Sequence, residues 1–138
     1  MSELNLFERA VMQKLLDGED EVLSILREQA KAIAVTEREM TGVGFYTTFF
    51  IPNGARHLPN NPSFKFGDVT AKTLGLNYGA GFLLYVQDGA LHILEGYIYD
   101  ESWPEEISVF ELSYTTGHHR DMEGLYEILH GNNERQSQ

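Results

Sequence analysis

Glu95 is the side chain most open to a chemical role, because it closes an apolar segment, Ala90-Leu91-His92-Ile93-Leu94, where an ion is out of place. A carboxylate on an apolar sheet face either gains a cation and hydrogen bonds or has its pKa raised. In the first case it is structural, with Arg38 or Arg56 as the expected cation. In the second it is a general base or holds a ligand. It would then sit in a pocket between helices and sheet, lined by Phe45, Phe49, Phe82 and Tyr97, with the 53–63 loop as a lid. A strand end simply open to water is the third alternative.

A second group, Asp100-Glu101-Ser102-Trp103-Pro104-Glu105-Glu106, brackets a tryptophan with acids. An aromatic anchor inside a charged rim is how protein interfaces are commonly built, so Asp100, Glu101, Trp103, Glu105 and Glu106 are the expected binding residues. The competing role for Trp103 is a plug packed over the sheet's edge. The acids lack the alternation and central glycine of an EF-hand loop.

Other chemistry is thinly represented. His118 and His119 are adjacent and do not converge on one ion, while His57, His92 and His130 are scattered, so no metal site is expected. Zero cysteines exclude disulfides, thiolate metal sites and cysteine nucleophiles. Thr41-Gly42-Val43-Gly44 and the glycines Gly75, Gly79 and Gly81 lack the lysine and hydroxyl of a P-loop and the long helix of a dinucleotide fingerprint. No serine stands in a nucleophile elbow. No cofactor is expected, and whether the protein is an enzyme is left open, leaning to no.

The charge narrows the partners. The chain carries 21 acidic and 10 basic residues, a formal net charge of -11, and residues 88–111 hold no base. Nucleic acid and anionic membrane are repelled by such a surface and are not expected partners. A basic protein is the partner such a surface suits; solubility alone is the plainer use of the charge. No apolar run approaches the ~20 residues that cross a bilayer, and the start Met1-Ser2-Glu3-Leu4-Asn5 lacks a signal peptide's basic and apolar parts. The expected compartment is the cytoplasm.

Helices, strands and turns must position these groups. Apolar residues at helical spacing predict a helix over residues 4–17, with Asn5 or Ser2 as cap and Gly18 as stop, and another over 22–34. One helix kinked at Gly18 gives nearly the same pattern. From Thr41-Gly42 the texture turns to β-branched and aromatic residues, predicting strands over 43–51, 64–70, 82–87, 90–98 and 107–114, then a short helix over 122–129 ended by Gly131. Residues 1–131 read as one domain and 132–138 as a flexible tail.

Asp88-Gly89 predicts a two-residue type I′ turn, which sets a register. Gln87 faces Ala90, Val86 faces Leu91, Tyr85 faces His92, Leu84 faces Ile93, Leu83 faces Leu94 and Phe82 faces Glu95. One face then holds Phe82, Leu84, Val86, Leu91, Ile93, Glu95 and Tyr97; the other holds Leu83, Tyr85, His92, Leu94 and Ile98, with Gly81 opposite Gly96. Both are largely apolar, so the hairpin is expected at the centre of the sheet and covered, at least in part, on both sides.

The expected fold is α+β, an N-terminal helical pair on an antiparallel sheet of about five strands with a short C-terminal helix. The first functional reading is a small acidic protein-binding module, an inhibitor or immunity-type binder being one form of it. The alternative is a small-molecule-binding protein or enzyme whose pocket centres on Glu95. A self-associating structural subunit is the third.

Overall fold

The computed structural model describes residues 3–99, 101–105, 107 and 109–131. Helix α1 (Leu6–Leu15) starts where Asn5 accepts the Glu8 backbone N–H at 2.8 Å and Glu8 accepts the Asn5 N–H at 2.9 Å, a reciprocal cap. Asp20 caps α2 (Glu21–Lys31) by accepting from the Val22 N–H at 2.8 Å. The start of the chain is therefore two helices and not one kinked rod. Arg27 bridges the break, donating to the Leu16 and Gly18 carbonyls at 2.6 and 2.8 Å, groups that the end of α1 leaves without helical partners.

Seven antiparallel strands follow: β1 (Ala34–Met40), β2 (Gly44–Phe50), β3 (Phe64–Phe66), β4 (Val69–Thr73), β5 (Ala80–Gln87), β6 (Ala90–Tyr97) and β7 (Phe110–Tyr114). Their order is β1-β2-β6-β5-β4-β7, with β3 also paired to β5. Helix α3 (Met122–Tyr126) continues into a π-helical turn, Glu127–Gly131. The α+β class is as expected, with two strands more than about five. One is β1, whose Thr36-Glu37-Arg38-Glu39-Met40 is a charged edge that hides its strand character. The other arises because the stretch expected as one strand over 64–70 divides at Gly67-Asp68. Among the described residues no helix is long and apolar enough to cross a membrane. The tail expected over 132–138, Asp100 and Glu106 lie outside the described residues.

The sheet has two unlike faces. Phe45, Thr47 and Phe49 on β2, Phe82, Leu84 and Val86 on β5, and Leu91, Leu94 and Gly96 on β6 all point inward and are buried. They share a core with Val11 and Leu15 of α1 and Leu23 and Leu26 of α2. Tyr46, Thr48, Phe50, Leu83, Tyr85, Ile93, Glu95 and Tyr97 point the other way, and none of them is buried. Of the cover expected at least in part on both sides of the hairpin, the helix side is complete, whereas the other side is open to solvent with its side chains half-buried.

The reversal at Asp88-Gly89 forms as expected, with φ of 51° and 80°, the values a type I′ turn needs, and with the first two pairs, Gln87 with Ala90 and Val86 with Leu91. Then the register slips. Tyr85 pairs with Ile93, Leu84 with Leu94, Leu83 with Glu95, Phe82 with Gly96 and Gly81 with Tyr97, leaving His92 as the extra residue of a β-bulge. The slip turns Glu95 away from the core. A bulge sacrifices about one ladder hydrogen bond, worth roughly 1 kcal/mol, whereas a buried unpaired carboxylate costs several kcal/mol. Leu94 goes inside instead, and Gly96 lets the Phe45 ring lie against its backbone, where any Cβ would collide with the ring.

Buried polar side chains tie the helices to the rest of the fold. Gln29 of α2 donates to the Gly89 carbonyl and accepts from the Leu91 N–H, both at 2.9 Å, gripping the hairpin turn. Arg120 pairs with Asp68 at 2.7 and 2.9 Å and donates to the Leu15 and Asp17 carbonyls, anchoring the segment before α3 to the end of α1.

Candidate functional site

The carboxylate between helices and sheet is Glu8. Its place in the first turn of α1 directs it down onto β2, where its side chain is 2% exposed. Arg38 reaches it from β1 because the register pairs Arg38 with Thr47, which puts both on the inner face. Arg38 donates Nε to Glu8 Oε2 at 2.9 Å and Nη2 to Oε1 at 2.7 Å, a two-pronged pair, and the Thr47 hydroxyl donates to Oε2 at 2.6 Å. Burial pushes the Glu8 pKa up; the bonds from Arg38, Thr47 and the Asn5 backbone outweigh it and hold the carboxyl below its ordinary value. Four donors leave this anion no spare capacity for a reacting proton. It is a structural charge.

Beside that pair opens a cleft of about 500 Å³ between α1, β2 and residues 103–105 and 107, lined by Leu6, Phe7, Met40, Phe45, Trp103 and Ile107 among others. The Trp103 ring, half-buried, meets Phe45 edge-on at 5.2 Å and Phe7 at 6.4 Å, and its backbone N–H donates to the Gly42 carbonyl at 2.7 Å. Trp103 thus packs as a plug at this end of the core. Glu105 stands exposed at the cleft's rim, while Glu101 accepts from the backbone N–H groups of Asn77 and Tyr78 at 2.8 and 3.2 Å and so fastens the loop before β5.

Glu95 lies on the other side of the sheet. The Tyr85 hydroxyl donates to its Oε1 at 2.7 Å, and among the described residues no ion pair reaches it. Neither expected cation is its partner: Arg38 is taken by Glu8, and Arg56 approaches Glu21 at 3.9 Å. Hydrogen bonding to Glu95, then partial burial and the Glu95 charge, push the Tyr85 hydroxyl up to about 12. A hydrogen bond to the same carboxylate, then its charge, raises Tyr46, with lesser pushes from burial and from Glu39. Tyr97 lays its ring over Gly81, where a Cβ would stand 2.6 Å from the ring, and meets Tyr99 edge-on at 5.8 Å.

The pocket expected around Glu95 is therefore not formed by that set of residues. Phe45, Phe49 and Phe82 face the core, whereas Glu95 and Tyr97 face outward, because the bulge at His92 moves the second half of β6 by one position. Phe45, Trp103 and Glu105 do come together, around Glu8 in place of Glu95. His118 and His119 lie exposed in the turn after β7. Sequence reasoning missed Glu8 as a site residue, although Asn5-x-x-Glu8 is the spacing of a reciprocal helix cap and marks where its carboxylate must sit.

Compared with family models, curated proteins and solved structures, the chain matches none. The functional reading rests on its own geometry.

Proposed function

We propose that the protein is a small acidic binding module, of the inhibitor or immunity type, that docks a basic protein partner on the open face of its sheet in the cytoplasm. The observation that supports this reading is the uncovered face itself. Tyr46 and Phe50 of β2 are 37% and 45% exposed, and the half-buried Leu83, Tyr85, Ile93 and Tyr97 share that face on β5 and β6. Surfaces of this kind are uncommon on proteins with no partner, and tyrosine is a residue that interfaces favour. Glu37, Glu39 and Glu95 add the sign, and the net charge of -11 steers positively charged proteins toward the molecule.

The test compares baits of equal charge change. Wild type, Glu95→Lys on the open face and Glu28→Lys on the exposed side of α2 are used to capture partners, which are then identified. The expected partner is a basic protein held by wild type and Glu28→Lys, lost from Glu95→Lys, and released as salt rises toward 1 M, where the Debye length falls to about 3 Å. A partner held equally by all three baits, or one indifferent to salt, overturns the reading.

A further inference from the structure

The strand register arranges the open face in rows. One row runs Glu39 on β1, Tyr46 on β2, Glu95 on β6 and Leu83 on β5, each directly opposite the next. The row beside it runs Glu37, Thr48, Ile93, Tyr85 and Lys65. Directly opposite residues stand about 5 Å apart, so Tyr46 is an exposed aromatic platform with a carboxylate on either side. In the adjacent row the chain's own Lys65 ammonium lies 5.8 Å from the centre of the Tyr85 ring, whose hydroxyl is bonded to Glu95. A cation already occupies one flank of the cluster.

Resting on the open-face reading, we infer that this row receives an arginine side chain of the basic partner, laid over Tyr46 between Glu39 and Glu95. Arginine suits the place better than lysine for three reasons. Its planar guanidinium stacks on an aromatic ring, it gives up water more easily than an ammonium, and its fork of donors can serve two acceptors at once. Tyr85 donates its hydroxyl to Glu95 Oε1 and the Tyr46 hydroxyl bonds the same carboxylate, which fixes it beside the Tyr46 ring and leaves about two of its four acceptor sites for a ligand. Lys65 supplies a mild counterweight, a cation in the same molecule that an incoming one must displace or tolerate.

The test uses the full chain with two peptides of equal charge, hexa-arginine and hexa-lysine, followed by calorimetry and by backbone amide shifts at 0.15 M salt, where the Debye length is about 8 Å. The expected result is about threefold tighter binding of hexa-arginine, with shifts centred on Glu39, Tyr46 and Glu95. Glu95→Gln should weaken it by about tenfold, and Lys65→Met should strengthen it. Glu39→Gln, on an exposed edge strand, is the second arm should Glu95→Gln disturb the fold. Equal affinity for the two peptides, shifts scattered over other acids, or indifference to both glutamine variants overturns the arginine assignment. If that happens while Glu95→Lys still loses the basic partner, the open-face reading stands and only the arginine site falls.

Discussion

Two carboxylates, Glu8 and Glu95, lie on opposite sides of the same sheet, and their surroundings differ in kind. Glu8 is enclosed between α1 and β2 with a guanidinium, a hydroxyl and a backbone N–H arranged on it. Glu95 sits among tyrosines on the open face, with the Tyr85 hydroxyl 2.7 Å away and the Tyr46 hydroxyl bonded to the same carboxylate. An acid taken out of water has to be neutralised within the fold, because the desolvation penalty of an unpaired charge exceeds what ordinary packing returns. An acid left at the surface carries no such requirement, and its unfilled acceptor sites face whatever arrives. Enclosure with full pairing marks a structural charge; partial exposure on an aromatic surface leaves a carboxylate with acceptor sites open to solvent.

The sharpest way to break this comparison is to remove one partner on each side. Arg38→Met leaves Glu8 buried without its cation and should cost about 3 kcal/mol in urea unfolding, at the low end for broken buried pairs because the Arg38 side chain is itself 31% exposed. Tyr85→Phe removes one donor to Glu95 and should cost less than about 1 kcal/mol, the usual worth of a partly solvated hydrogen bond. Equal losses would mean that the two faces are not different environments.

Glycines give the next test. On the inner face Gly96 is pressed by Phe45, and on the outer face Gly81 is covered by Tyr97. Gly96→Ala should destabilise by about 2 kcal/mol, since the Phe45 ring is locked in the core and overpacking there is costly. Gly81→Ala should cost clearly less, because the Tyr97 ring can swing outward into solvent. Paired thermal melts decide it; a Gly81→Ala loss as large as that of Gly96→Ala would show the outer face to be as rigid as the core.

Much of the covered region was legible in the chain. The helical stretches, though not whether they form one kinked helix or two, the Asp88-Gly89 reversal and the buried set Phe82, Leu84 and Val86 follow from spacing and turn chemistry that act within a few residues. The fate of Glu95 did not, because the bulge at His92 is decided by what burial would cost that carboxylate once helices cover one face, a three-dimensional competition with no local mark. Glu8 was hidden for a related reason: its cation, Arg38, lies 30 residues away on a strand whose charged residues mask it. The open face was misjudged because Leu83, Tyr85 and Ile93 are as apolar as core residues, and alternation cannot show whether such a face meets another layer of the same chain or a partner.

The smallest effect expected is in the pH dependence, where the two faces should act at opposite ends. Glu8 has its folded pKa below its ordinary 4.5, so it binds fewer protons folded than unfolded. Its contribution is present above that value and is lost as pH falls through the folded pKa. Tyr85 is the reverse, raised to about 12 from 10.0 by its bond to Glu95. The folded chain keeps a proton that the unfolded chain has released, so this contribution is full below pH 10 and is lost as pH rises toward 12. The alkaline loss should be the slighter, since the phenol is partly solvated and screening weakens its tie to Glu95. Absorbance of the phenolates near 295 nm follows it directly: Tyr85 should ionise late among the seven tyrosines, and Glu95→Gln should bring it back toward 10. If Tyr85 ionises as late in Glu95→Gln as in the wild type, the outer carboxylate is not what holds the phenol, and the contrast between the two acids loses its outer half.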